Sequence, residues 1–524
     1  MKKNKTSSSS GGGGGGGGAE AAAAMRVIVP LQGVVQGRGG LVLGSVIPCA
    51  LLYFIQLYFR SRGGGGGDGR EKSPPAAEAE QSSPALQRVH SRTLLFSRGH
   101  APPPHVSSRA AAIAQNCNGP YYAGLERAHD DPYDDVANPD GVIHLALSHN
   151  TLVSDLVGEW VADHCAESLF GQELNMSDVA AYQPFDGLME LKMATSRFMS
   201  WHTGKGRFFD PENIVLTSGA APAVEMLVFS LADTGNAFLV PSPYCPDLDE
   251  VKWRTGVEFI PVPCRRTDAF AISINALDRA FNQAKNRRQK VRGIIISNPS
   301  NPAGVLHSRE VLETLLDFAT EKNIHIISIE SVLASEEFVS MTEVAEDVDK
   351  TRVHIVHALS NDLSVPSLAT EFIYTCNETV LASVKKLARF SSVSVPTQRV
   401  LTSMLSDTKF VGNAVKVTRE RIRRMRAGLA HGLRKSGIEC VGSDGGLYCW
   451  ADMSPLIRSY SEKGEIEMFD RLLSVAKINA VPGCSCHSVE LGWFGFCFAS
   501  LREEDIDIVL RRIRTVSDAG RSPR

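Results

Sequence analysis

The chain has 524 residues, enough for more than one hydrophobic core, because single cores stop growing well before that length. Its 55 lysines and arginines against 58 aspartates and glutamates leave a formal charge of -3, which excludes the basic excess of a nucleic-acid binder and the acidic excess of a solvating tail. The 11 cysteines are scattered and the spacing of Cys484 and Cys486 is wrong for a structural zinc site, so no metal is expected and most cysteines read as reduced core residues of an intracellular protein.

Residues 1–24 combine a lysine-rich start with serine, glycine and alanine runs and have nothing to bury. Such a composition predicts disorder. Within residues 25–62 lies GGLVLGSVIPCALLYFIQLYF, Gly39 to Phe59, an uncharged run bounded by Arg38, Arg60 and Arg62. It is just long enough to span the hydrocarbon layer of a bilayer. A buried core helix or a signal peptide is the alternative, yet the run ends in Tyr58, Phe59 and arginines, as an interfacial anchor does, and not at a small-residue cleavage site. The expectation is a membrane anchor at 39–59 with the body facing the cytosol, and a soluble cytoplasmic protein is the alternative. Residues 63–116, with a second glycine run and Pro102 to Pro104, read as a flexible tether. The sequons at Asn175 and Asn377 would be glycosylation acceptors only if the body faced a lumen.

From 117 to about 516 the composition is that of a folded protein. AFLVPSP (Ala237 to Pro243), RGIIISNP (Arg292 to Pro299), IHIISIE (Ile324 to Glu330) and VHIVHALS (Val353 to Ser360) read as buried strands, too short for core helices and rich in Ile and Val. Between the second and third, Ser308 is placed to cap a helix with Val311, Leu315 and Ala319 on one face and Leu312 and Leu316 beside it. Near-continuously apolar strands alternating with helices predict an α/β fold with a mostly parallel sheet covered on both faces. Ligands of such sheets bind beyond the carboxyl ends of the strands. A basic helix near Val417 to Lys435, the strand-like GGLYCWADM and a closing helix from Glu503 suggest a smaller α+β domain at about 410–516, after a large domain at about 185–400.

The loops beyond those strand ends carry a resemblance. NPDGVI at Asn138, KWRTGVEFIP at Lys252, NPSNPAG at Asn298, SGIEC at Ser436, GLYCW at Gly446, PGCSCH at Pro482 and GWFGFCFAS at Gly492 resemble, in order, the plant 1-aminocyclopropane-1-carboxylate synthase family with its aminotransferase-like members. MRVIVPLQGVVQGRGGL looks like the N-terminal extension of the aminotransferase-like branch. The resemblance covers about 117–516. It implies the class I/II aminotransferase fold (fold type I), pyridoxal 5'-phosphate as cofactor, and a homodimer with sites built across the two-fold axis. That cofactor requires a lysine amine for the Schiff base, a carboxylate to hold the pyridine nitrogen protonated, and cations with helix-terminal amides for the phosphate. An arginine fork holds the substrate carboxylate.

Several of these roles have no matching residue. The family pattern SLSKDxGLPGFRVG reads ALSNDLSVPSLATE from Ala358 to Glu371, which puts Asn361 at the lysine, Ala358 at a phosphate-binding serine and Ala369 at a phosphate-binding arginine, and keeps Ser360. DEIY becomes Ile329-Glu330-Ser331-Val332, and a one-residue shift on a strand points Glu330 to the opposite face. GWFRVCFAN becomes GWFGFCFAS with Gly495 at the substrate arginine, and AENQL becomes SHNTL with His149 at the glutamate. GGATGANE becomes SGAAPAVE, which leaves the amides of Gly219, Ala220 and Ala221 at a helix start. QDYHGL becomes QPFDGL, with Phe185 at a tyrosine that reaches the neighbouring subunit's phosphate. Asn301 and Tyr244 remain as cofactor contacts, with Cys245 at a second tyrosine. The bland alternative for Asn361 is a left-handed turn residue. Lys350, Lys385 and Lys386 are near in sequence but not at the end of the fourth strand.

Roles that act as a unit are lost as a unit. The expectation is therefore a catalytically inactive, membrane-tethered homologue, and the alternative is a working pyridoxal-phosphate-dependent aminotransferase or 1-aminocyclopropane-1-carboxylate synthase. A heterodimer with an active relative, to which this chain would lend Phe185, is a further expectation. The helix start after Gly219 would still offer an anion site.

Overall fold

The apolar runs pair as a seven-stranded sheet in the order Ile214–Thr217, Glu371–Thr375, Val353–His357, His325–Glu330, Val291–Asn298, Ala237–Ser242, Glu258–Pro263. Glu371–Thr375 is antiparallel to both neighbours and the remaining pairs are parallel. The computed structural model describes residues 104–116, 119–170, 181–203, 207–346, 348–442 and 445–520. The low-complexity start, the anchor expected at 39–59, most of the tether and Asn175 lie outside them. Among the described residues no helix is long and apolar enough to cross a membrane.

Alternation along each strand sends side chains to opposite faces, which explains why the runs are apolar throughout. On one face Val215, Ile295, Ile327, Val356 and Ile373 pack with Val224 and Leu227 of the helix Ala220–Leu231 and Val384 of the helix Glu378–Leu387. On the other, Ile214, Leu216 and Phe372 pack with Leu191, Phe198 and Leu401, while Ile294, Ile326 and Ile355 join Leu312 and Leu315. Ser308 caps the helix Arg309–Lys322 by accepting from the Val311 N–H, as the spacing predicts.

A second, four-stranded antiparallel sheet runs Val481–Pro482, Trp493–Cys497, Tyr448–Asp452, Glu439–Cys440. It is joined by the helices Thr408–Lys435 and Asp505–Gly520. The long basic helix thus starts nine residues before Val417, where Asp407 accepts from the Phe410 N–H. The end of the expected tether is corrected too: Ser108–Asn116 is a helix, as its alanine-rich sequence favours, and it packs against the helix Leu248–Thr255.

Candidate functional site at the carboxyl ends of the strands

The Val353–His357 strand passes through Ala358 into a one-turn helix, Leu359–Asp362. Here the predicted VHIVHALS strand stops short. Asn361 lies in that turn, so its left-handed alternative is corrected: the left-handed residue is Ser364, with φ of 57°. The Asn361 Oδ1 accepts from the Asn150 backbone N–H at 2.9 Å, and the Asn361 carbonyl accepts from the Asn150 Nδ2 at 2.8 Å. Asn150 is itself buried, and its Oδ1 accepts from the Leu152 N–H at 3.1 Å. The Asn361 amide is therefore a structural tie to the segment that carries His149.

Ser364 stands where the pattern has a glycine, and it is costly twice over. A left-handed backbone costs a non-glycine residue about 1–2 kcal/mol, and its buried Oγ has no hydrogen-bond partner among the described residues. Ser364→Gly is expected to raise stability by about 2 kcal/mol after the entropy cost of glycine, read as a higher thermal unfolding midpoint. A lower midpoint would refute this account.

Two neighbours of Asn361 are also committed. The Ser360 hydroxyl donates to the Thr370 carbonyl at 2.9 Å and accepts from the Thr370 N–H at 2.6 Å, so it clasps two backbone segments. The buried Asp362 carboxylate accepts from the Ser331 hydroxyl at 2.5 Å and the Val332 N–H at 3.0 Å, with His357 Nε2 at 3.2 Å. Ala358 is half-buried and its N–H donates to the Glu330 carbonyl at 3.0 Å. Ala369 is left-handed, with φ of 41°.

On the His325–Glu330 strand, Ile329 faces the apolar cluster below the Ala220–Leu231 helix and Val332 is buried on the other side of the sheet. Glu330 points away from Ile329. Its carboxyl is wholly buried and accepts from Ser328 Oγ at 2.9 Å, Ser340 Oγ at 2.7 Å and the Met341 N–H at 2.9 Å. Burial pushes its pKa up and these donors pull it back.

The second sheet closes on the same region. A Cβ added at Gly495 would lie 3.3 Å from Pro302 Cβ, 3.4 Å from Tyr448 and 3.5 Å from Trp450. Gly446, with φ of 75°, packs on Gly304 at the end of the NPSNPAG turn. Asn301, in that turn, lines with Ser242, Tyr244, Ser297 and His307 a cavity of about 20 Å³, the size of one water molecule. The buried ring of Tyr244 stacks on His487 at 4.7 Å and its hydroxyl donates to Asp249 Oδ1 at 3.1 Å. Burial also pushes the Cys245 thiol well up. His149 is half-buried, which lowers its imidazole pKa.

At the opposite edge of the site the helix Ala220–Leu231 begins after Gly219, whose φ is 116°. The Phe185 ring lies under the Arg389 guanidinium of its own chain at 4.6 Å. Lys350 opens the turn before Val353–His357, at the far end of that strand, and Lys385 pairs with Glu212 at 3.4 Å. Among the described residues no group of three or more His, Cys, Asp and Glu could hold a metal ion. Sequence reasoning passed over Asn150 and Glu371. The signal for Glu371 was in the ALSNDLSVPSLATE window, which it ends at the pattern's last glycine.

Comparison with known proteins settles the family. Residues 145–513 match the model of the aminotransferase class I and II family. The chain is 52% identical over 511 residues to 1-aminocyclopropane-1-carboxylate synthase 6 of Oryza sativa subsp. japonica, covering 94% of this chain and 93% of that protein. The chain belongs to the 1-aminocyclopropane-1-carboxylate synthase family of class I and II aminotransferases. The Arabidopsis thaliana protein described as probable aminotransferase ACS12 is 50% identical over 509 residues, covering 95% of this chain and all of that one, so the likeness to the aminotransferase-like branch extends to the N-terminal part. Among solved structures, an aromatic aminotransferase from Pyrococcus horikoshii superposes with a TM-score of 0.62 at 19% identity, covering 76% of this chain and 99% of that one. An aspartate aminotransferase from Thermus thermophilus with maleate gives 0.60 at 21%, covering 79% and 100%. At these identities the structures support the fold, type I α/β.

Proposed function

We propose that this member of the 1-aminocyclopropane-1-carboxylate synthase family is a catalytically inactive homologue, tethered to a membrane through 39–59, whose body persists as a folded homodimer that binds and does not convert. The observation that carries the reading is the pair of hydrogen bonds that Asn150 donates to the Asn361 Oδ1 and backbone carbonyl. A side-chain amide has its lone pair delocalised and cannot condense with an aldehyde, and this one is already engaged.

The surrounding residues do not fit pyridoxal 5'-phosphate, the cofactor of the family. Ile329 and Val332 carry no polar side-chain atom for the pyridine nitrogen or the ring oxygen, and Ala358 and Ala369 bring neither hydroxyl nor cation to a phosphate. Ser360 spends its hydroxyl on Thr370. Glu371 puts a buried carboxyl where the family pattern ends in glycine. Gly495 has no guanidinium for a substrate carboxylate.

The names of the relatives favour a second reading, a working aminotransferase or 1-aminocyclopropane-1-carboxylate synthase. The two part on one experiment: the full chain is titrated with pyridoxal phosphate, and the visible absorption of a protein-bound imine is followed before and after borohydride. No reducible imine is expected in the native protein. A trapped imine there would mean that another lysine serves, and restored transamination by Asn361→Lys alone would likewise support the second reading.

A further inference from the structure

Glu371 opens the antiparallel strand Glu371–Thr375, directly opposite Thr217 at the end of Ile214–Thr217. Side chains two apart on a strand share a face. Ile373 packs with Val215, Ala223, Val224 and Leu227, so the Glu371 side chain leaves the sheet on the face that carries the helix Ala220–Leu231. Thr217, its partner, donates its hydroxyl to the Gly219 carbonyl at 3.0 Å, which places the strand end against the start of that helix. The amides at the first turn of this helix point an unspent positive dipole at whatever lies before them.

Glu371 is only 7% exposed, and its Oε2 has no hydrogen-bond partner among the described residues. Burial and the Asp362 carboxylate push its pKa well above the usual carboxylate range, and the backbone amides of Leu359 and Ser360 pull it part of the way back. A glycine, the residue of the family pattern here, would place no atoms in this space. A buried carboxyl with one unpartnered oxygen has the size and shape of a small bound oxyanion. The native sequence supplies that group covalently.

We propose that Glu371 is an internal occupant of the anion seat in front of the Ala220–Leu231 helix, and that it excludes phosphate-bearing ligands from this chain independently of the loss of an amine at position 361. The inference deepens the reading of the body as non-catalytic and rests on it for the location of the seat. Its failure is separable, because it is read with inorganic phosphate, which forms no imine.

The test is calorimetric titration of inorganic phosphate, and separately of pyridoxal phosphate, into the full chain and into Glu371→Gly, Glu371→Ala and Glu371→Gln. Glu371→Gly and Glu371→Ala, which empty the space, are expected to bind phosphate at least tenfold more tightly than the native protein. Glu371→Gln, which keeps the bulk, should stay as weak as native. Either Glu371→Gly or Glu371→Ala suffices, provided its circular dichroism and unfolding midpoint show a folded chain. Equal phosphate affinity in the native protein and in folded Glu371→Gly or Glu371→Ala would overturn the proposal. A borohydride-trapped imine in the native protein would defeat the non-catalytic reading, while the phosphate result would still decide the role of Glu371.

Discussion

Acidification from pH 7 to pH 4 is expected to remove a large part of the stability of this protein. His307 and His354 are buried, and burial lowers their pKa values to about 4 and about 3. In the unfolded chain each would titrate near 6.5. Below that value the unfolded chain binds protons that the folded one refuses, so the stabilisation is fully present above pH 6.5 and is lost as the pH falls toward the folded values. At about 1.4 kcal/mol per unit, the loss approaches roughly 3 kcal/mol for His307 and roughly 5 kcal/mol for His354 once the folded values are reached. Native proteins have about 5–15 kcal/mol in total.

Burial keeps both rings from accepting the proton. The Ser297 carbonyl, 3.1 Å from His307 Nε2, pulls the other way and offsets only part of it. His354 lies 2.8 Å from Thr375 Oγ1 and 3.1 Å from His325, whose own imidazole is lowered by burial and by Arg352. The carboxyls of Glu330 and Glu371 act in the opposite sense, since raised values let the folded state hold their protons, and they offset part of the loss. Unfolding midpoints measured at unit steps of pH check the expectation. His354→Asn, which keeps a polar side chain toward Thr375, should flatten the curve, and a midpoint that does not move between pH 7 and pH 4 would refute the assignment.

The second large effect is expected from placing at Gly495 the arginine that the resembling family pattern has there. Gly495 lies in a strand whose residues are all buried, and its Cβ direction meets Pro302, Tyr448 and Trp450 at 3.3–3.5 Å. A methyl group there would ask its neighbours to give by a few tenths of an ångström. A guanidinium would have to displace them and enter without a carboxylate partner, and an unpaired buried charge costs several kcal/mol. Gly495→Arg should therefore destabilise the protein by about 4 kcal/mol or more, read as a loss of soluble protein or a steeply lowered unfolding midpoint. Gly495→Ala should cost far less. A Gly495→Arg protein as stable as the native one would show that the arginine's space persists, and would weaken the case against a working enzyme.

Much of the fold was legible because a sheet covered on both faces imposes apolarity on every strand residue. AFLVPSP, RGIIISNP, IHIISIE and VHIVHALS were recognised for that reason. Ile214–Thr217, Glu258–Pro263 and Glu371–Thr375 were not: the first is short, the second carries Glu258, Pro261 and Pro263, and the third begins with a carboxylate and has a neighbour 154 residues away in sequence. Thr217 to Glu371 is a pairing that no local pattern announces.

At the site, the chemistry absent at positions 361, 329, 332 and 495 could be read from residue types, because an amide, an alkyl chain or a hydrogen atom lacks the needed group in any fold. The family, too, was carried by the order of local motifs. What the retained polar groups do was decided only by the tertiary structure. Ser360 and Tyr244 looked available, yet one clasps Thr370 and the other is stacked on His487 and bonded to Asp249. Asn361 meets Asn150 across 211 positions of sequence, and Glu371 becomes a buried carboxyl with an unpartnered oxygen only because strand pairing lays it opposite Thr217. Residue type determines which reactions are possible, whereas burial and partners, which come from distant parts of the chain, determine what each group is committed to.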